Sequence, residues 1–182
     1  MQPITQVLLG SQTAQADVTN FLCAQLAFWL LAATDGHAEN FSVFLLPAGR
    51  YRMTPLYDVI SLCPVIDKGP NHVPWPSAKL AMAIRFKSAH CVLQSILARH
   101  RQGVAYKFGV PDVWDAMLRL GERVEPVLAA LQARLPVDFS ARTAATVFKG
   151  VRGQLTRWQQ GANALHRVVA MPRRSPSWKT TN

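Results

Sequence analysis

Acidic side chains are scarce in this chain. Ten Asp and Glu stand against twenty Lys and Arg among 182 residues, a formal charge of +10. Such an excess favours contact with phosphates, nucleic acid or an acidic protein, and equally suits a basic surface that only aids solubility. Charge of either sign is sparse, at 16% of residues, while 49% are hydrophobic. That balance excludes a disordered chain and fits one compact domain with a sizeable core. Cysteine is rare too: Cys23, Cys63 and Cys91 are widely spaced, with no C-x-x-C pair for zinc or redox work. Free, buried thiols are expected. The longest apolar run, Leu26 to Ala33, is far too short to span a bilayer. The first residues lack a basic region followed by an apolar signal core. A soluble protein of the reducing cytoplasm, without a membrane partner, is expected. His72, His90, His100 and His166 show no metal-ligand spacing. Ser61, Ser77 and Ser88 lack the glycines of a nucleophile elbow.

What is present organises readily. Ile4 to Leu9 reads as a short helix ending near Gly10 and Ser11. Asp17 is a plausible N-cap for a longer helix to about Ala33. Val18, Phe21, Leu22, Leu26, Trp29 and Leu30 recur near helical spacing around much of its circumference, which predicts a central, buried helix. The pattern breaks at Thr34-Asp35-Gly36-His37. Phe41 to Leu46 and Arg50 to Thr54 then read as two strands joined by a Pro47-Ala48-Gly49 turn, with Pro55 ending the second. Pro64 to Pro76 predicts an irregular surface loop. Helices are expected at about Ser77 to Ile84, Ser88 to His100, Pro111 to Ala133 and Ala141 to Leu165. Pro111 suits a first turn, and Pro126 should kink or split its helix. The expected division is one lobe over 1–166 and a basic, disordered tail over 167–182. Trp29, Trp75, Trp114 and Trp158 read as core residues rather than nucleic-acid stacking platforms. Arg99, His100, Arg101 and Lys107, then Arg142, Lys149, Arg152 and Arg157, could form a basic face, either simply solvated or in contact with phosphates.

The chemistry concentrates in Ala33-Thr34-Asp35-Gly36-His37-Ala38-Glu39-Asn40-Phe41-Ser42. An Asp-x-x-x-x-Asn directly follows the buried helix, a hairpin comes next, and Tyr57-Asp58 stands just after the second strand. The order matches the catalytic half of a protein kinase: catalytic Asp, metal-binding Asn, hairpin, metal-binding Asp. Phosphoryl transfer needs well-placed charge more than covalent chemistry. Mg²⁺ prefers hard oxygen ligands shared between protein and phosphates. The Asn40 amide oxygen and the Asp58 carboxylate can supply two, and Asp35 can accept the proton of an attacking hydroxyl. The blander reading is a helix end in which Asp and Asn cap a turn.

Ala-Thr-Asp-Gly-His-Ala-x-Asn-Phe-Ser, followed by Tyr-Arg-x-Thr-Pro-x-Tyr-Asp, closely resembles the HipA toxin kinases of bacterial type II toxin–antitoxin systems. Ser77-Ala78-Lys79-Leu80-Ala81-Met82 resembles that family's segment after the metal loop, and the likeness extends from about Ile4 to Leu165. The implied fold is mainly α, a protein-kinase-like C-terminal lobe with one small β-hairpin after the catalytic loop. By resemblance, Asp35 is the proton acceptor, Asn40 and Asp58 hold Mg²⁺, and His37, Ala38, Glu39 and Tyr57 lie along the phosphates of ATP. His37, where many kinases place Lys, would contact phosphate or else stabilise the loop. Glu39 stands where relatives often have Lys, and Val59-Ile60 follows Asp58 in place of Phe-Gly. The implied partners are a protein substrate phosphorylated on Ser or Thr, a HipB-like DNA-binding antitoxin and, through it, DNA. No Gly-x-Gly-x-x-Gly or Gly-x-x-x-x-Gly-Lys occurs, and Lys68, Lys79 and Lys87 all follow the catalytic loop. The resemblance therefore expects Met1 to fall inside the intact protein. A split kinase completed by a separate N-terminal lobe, a truncated remnant, and a pseudokinase acting as an antitoxin- or DNA-associated module are the three resulting expectations.

Overall fold

A helix that is apolar all round has to be surrounded, and that requirement organises the fold. The computed structural model describes residues 1–67, 69–108, 110 and 112–170. Its helices are α1 (Gln2–Leu9), α2 (Ala14–Leu31), α3 (Ala98–Lys107), α4 (Val113–Gln132) and α5 (Ala141–Ala170). Its strands are β1 (Val43–Leu45), β2 (Tyr51–Met53), β3 (Lys79–Arg85) and β4 (Ala89–Val92). Val18, Phe21, Leu22, Leu26, Phe28, Trp29 and Leu30 of α2 are all buried, with α1, α4 and α5 packed around them. α4 meets α5 closely enough that a Cβ on Gly121 would lie 2.4 Å from the Trp158 indole nitrogen. The Trp158 ring in turn packs edge-on against Trp114 at 5.4 Å. Trp29, Trp114 and Trp158 are core residues, as expected, and Trp75 is packed against the core. All three cysteines are free; Cys63 is buried, and Cys23 and Cys91 are half-buried. Among the described residues no helix is long and apolar enough to cross a membrane.

Asp17 is not the N-cap of α2, which begins three residues earlier with Thr13 as its cap position. Instead Asp17 is buried within the first turn, and its carboxylate accepts the Met53 amide hydrogen at 3.0 Å. Negative charge near a helix N-terminus is favourable, and here the carboxylate also pins β2 to α2. The β1–β2 hairpin pairs antiparallel as expected, Val43 opposite Met53 and Leu45 opposite Tyr51. Its turn at Pro47–Gly49 places Ala48 and Gly49 at φ 61° and 69°.

The expected helix at Ser77 to Ile84 is strand β3 instead, and β4 replaces the first half of the expected helix at Ser88 to His100. The fold thus holds two small hairpins, not one. Lys79-Leu80-Ala81-Met82-Ala83-Ile84-Arg85 buries Leu80, Met82 and Ile84 and turns Lys79, Ala81 and Arg85 outward. That strict period of two marks a half-buried strand. α4 is not split by Pro126. Pro126 lies on the exposed side, where water can satisfy the Glu122 carbonyl that loses its helical donor. Pro111 lies outside the described residues. α5 runs to Ala170, past the expected boundary at 166, and 171–182 lie outside the described residues.

Candidate functional site

The site begins where α2 stops. Ala33 N–H donates to the Phe28 carbonyl at 2.7 Å and Ala32 N–H to that of Trp29 at 3.3 Å. Ala32 sits in the left-handed region, φ 49°. This is the double bond pattern of a Schellman turn, with Ala where Gly is usual, at a cost of about 1–2 kcal/mol. Two carbonyls left over at the helix end are taken up by the segment after Asp58. Ser61 Oγ donates to Leu31 O at 2.6 Å and Leu62 N–H to Ala32 O at 3.0 Å. The end of α2 and the stretch carrying Asp58 are thereby bonded together. Ala81 N–H of β3 holds the Thr34 carbonyl at 3.0 Å. Gly36 lies against the Phe28 ring, where a Cβ would come within 2.3 Å of ring carbon.

Residues 38–40 form a single 3₁₀ turn that buries Asn40. The Asn40 amide is fixed by what surrounds it. Its Oδ1 accepts the His37 backbone N–H at 3.2 Å and its Nδ2 donates to Asp58 Oδ2 at 3.3 Å. A peptide N–H can only donate and a carboxylate only accept, so the orientation of the amide follows from its partners. Asp58 is exposed and, like Ala32, has a positive φ, 53°. Backbone strain of this kind concentrates at functional sites. Asp35 is well exposed, with 78% of its side chain open to solvent. It stands 3.7 Å from His37 Nε2, an ion pair only when the imidazole is protonated. His37 Nδ1 is buried with no hydrogen-bond partner among the described residues. His37 holds the loop through its backbone N–H, shared between Asn40 Oδ1 and the Asp35 carbonyl.

Tyr57 OH donates to the Glu39 carbonyl at 3.0 Å and lies 2.6 Å from Ser42 Oγ. The single Tyr57 proton goes to the carbonyl, so Ser42 is the donor of the shorter bond. Ser42 is the residue that sequence reasoning passed over. Its only signal was its place two residues after Asn40, at the entrance to β1. Ala38 and Glu39 are exposed on the turn between His37 and Asn40. The structure therefore joins Asn40 to Asp58 directly, Asp35 to His37, and Tyr57 to Glu39 across the hairpin.

Among the described residues no group of three or more His, Cys, Asp or Glu could cage a metal by itself. The donors at hand are the Asp58 carboxylate and the second lone pair of Asn40 Oδ1. Two hard oxygens suit a cation such as Mg²⁺, which keeps waters and shares its shell with phosphate.

A family model described as the HipA-like C-terminal domain matches residues 1–133. The chain belongs to that family. The match takes in α1 to α4, both hairpins and every site residue named above, and stops short of α5 and of Leu165. α5 nonetheless belongs to the packed HipA-like domain. Gln154 Nε2 donates to the Trp29 carbonyl at 3.1 Å, and Arg157 reaches Gln154 Oε1 and Gln94 O at 2.8 Å each.

One expected surface of this HipA-like domain is not there. His100 and Arg101 are buried, so Arg99-His100-Arg101 does not form a basic face. On α5, Arg157 turns inward and Arg152 grips Glu125 at 2.7 Å, leaving Arg142 and Lys149 exposed without that continuity. The inward turn follows from packing: both Arg101 and Arg157 lay their guanidinium over Trp29, at 5.3 and 5.5 Å.

Proposed function

We propose that this chain is the C-terminal catalytic lobe of a HipA-type kinase that phosphorylates Ser or Thr of a protein in the cytoplasm. The contact between Asn40 and Asp58, 18 residues apart, carries the reading. It brings together the two oxygen-bearing side chains that kinase chemistry asks to share one cation.

In this reading Asn40 Oδ1 and the Asp58 carboxylate hold Mg²⁺, while His37, Ala38, Glu39 and Tyr57 border the phosphates. ATP with Mg²⁺ would supply the transferable phosphoryl group and the positive charge that offsets it. Asp35, exposed at the tip of the loop, takes the proton of the substrate hydroxyl and returns it to solvent. The Ser42–Tyr57–Glu39 chain holds the two sides of the site at a fixed spacing, so the charges need little reorganisation. The phosphate-covering loop and strand lysine of a complete kinase are not among these 182 residues. A lobe N-terminal to these residues, on the same or on a separate polypeptide, is the proposed source. A HipB-like antitoxin is the proposed regulator and would bring the complex to DNA.

The test is phosphotransfer by the reconstituted two-part complex. Asp35→Asn should abolish it, and unchanged transfer would refute the assignment. A second reading is a non-catalytic module binding the antitoxin or DNA, favoured by Glu39, an exposed acidic residue on the turn that would border phosphate. Thermal shift with ATP and Mg²⁺ separates the two, because a ligand of the folded state raises the midpoint. A rise that needs the N-terminal lobe selects the split kinase; no rise even with that lobe selects the module.

A further inference from the structure

Among the described residues, the core contains a cation without a counter-charge. Arg101 on α3 is 2% exposed, and Gln25 on α2 is 1% exposed. Arg101 Nη2 and Gln25 Nε2 are both buried without a hydrogen-bond partner among the described residues. Both side chains line one small cavity, together with Met1, Leu22, Ile84, Val104 and Met117. No carboxylate acts on the Arg101 guanidinium, which burial alone perturbs. The Trp29 ring at 5.3 Å takes up some of the guanidinium charge but offers Nη2 no acceptor.

Two unpartnered donors on side chains that line one cavity call for an acceptor within reach of both. We propose that Arg101 and Gln25 form a buried binding site for one small monovalent anion, of the size of chloride. Size argues for a monatomic ion. The cavity holds only about 10 Å³, the space of a single small particle and not of sulfate or a nucleotide phosphate. Charge argues for an anion over water. A water molecule would satisfy both donors but leave a buried guanidinium uncompensated, which is the costly part of burying it. Burial alone pushes the Arg101 guanidinium down to about 9, so the site lacks a counter-charge of its own. The cavity touches α2, α3, α4 and β3, so an anion there would tie the second hairpin to the helical core.

The test uses the full chain, unfolded by heat at constant ionic strength, with chloride exchanged for bulky gluconate. Raising chloride from about 10 to about 200 mM should lift Tm by roughly 3 °C or more. Arg101→Met should remove that dependence, and Gln25→Leu should weaken it. Chloride-35 NMR line broadening by the unmodified chain gives a second readout should Arg101→Met fail to fold. A crystal soaked in bromide should show its anomalous signal between Arg101 Nη2 and Gln25. Equal Tm in chloride and gluconate would overturn the proposal. So would dependence that survives Arg101→Met, a water alone in the cavity, or a Gln25 carboxamide turned so that its own oxygen meets Nη2.

Discussion

Asn40 Nδ2 donates to Asp58 Oδ2 at 3.3 Å, one residue buried, the other exposed. The asymmetry separates their expected mutant behaviour. Asp58→Asn keeps an oxygen for Asn40 to bond and tolerates a positive φ. Its stability should change little, within about 0.5 kcal/mol, as read from Tm. Phosphotransfer in the reconstituted complex should fall about a hundredfold or more, because a charged ligand of the cation is gone. Equal activity would remove Asp58 from the metal site.

Asn40→Ala acts on both properties at once. It removes one of the two acceptors of the His37 N–H, which keeps the Asp35 carbonyl at 2.8 Å, and it leaves Asp58 without the Asn40 donor. A loss of about 1–3 kcal/mol is expected, measured by denaturant unfolding of the chain alone, before any question of activity.

Gly36→Ala probes how tightly the loop is held from below. The new methyl would drive into the Phe28 ring of α2. Displacing a packed ring costs about 1–3 kcal/mol, and the loop carrying Asp35 and Asn40 should move with it. The expected outcome is a lower Tm together with loss of ATP–Mg²⁺ binding. A Tm equal to that of the unmodified chain would show that the contact yields freely.

Gln154→Ala tests whether α5, which lies beyond the family match, is structural. Gln154 is buried, donates to Trp29 O and accepts from Arg157. Removing it should cost about 2–4 kcal/mol, visible in Tm. A neutral result would mean that α5 is an appendage.

His100 predicts a pH dependence. Burial, then the neighbouring His90, Arg99 and Arg101, lower its imidazole from 6.5 to about 4. The rings of His100 and His90 stack at 3.8 Å, and His100 Nδ1 accepts the Leu97 N–H at 3.3 Å. The unfolded chain binds a proton near 6.5 and the folded chain does not until about 4. Stability from this group is therefore whole above 6.5 and lost as pH falls from there to about 4. The loss is of order 3 kcal/mol. His100→Gln should flatten the stability profile in that window.

Where local pattern decided the outcome, the sequence was readable. The apolar circumference of α2, the Pro-Ala-Gly turn and the spacing from Asp35 to Asn40 all report interactions between near neighbours. The β3 strand was legible in principle, since Leu80, Met82 and Ile84 alternate with outward residues. A helix over Ser77 to Ile84 is expected as well, because Ala78, Ala81 and Ala83 satisfy helix propensity. Pairing with β4 settles it, and pairing is a non-local term.

Charge was the least legible property. A count of basic residues treats Arg101 and Arg142 alike, but one is buried under Trp29 and the other is in water. Likewise Asp17 looked like a helix cap, and only the arrival of β2 gave its carboxylate the Met53 N–H to hold. Composition and short-range periodicity were enough for the helical character, the first hairpin and the motif residues, because those depend on contacts within a few positions of chain. Which cations face solvent, which strand covers Asp17 and whether Asn40 meets Asp58 depend on segments distant in sequence, and those contacts exist once α2 is enclosed.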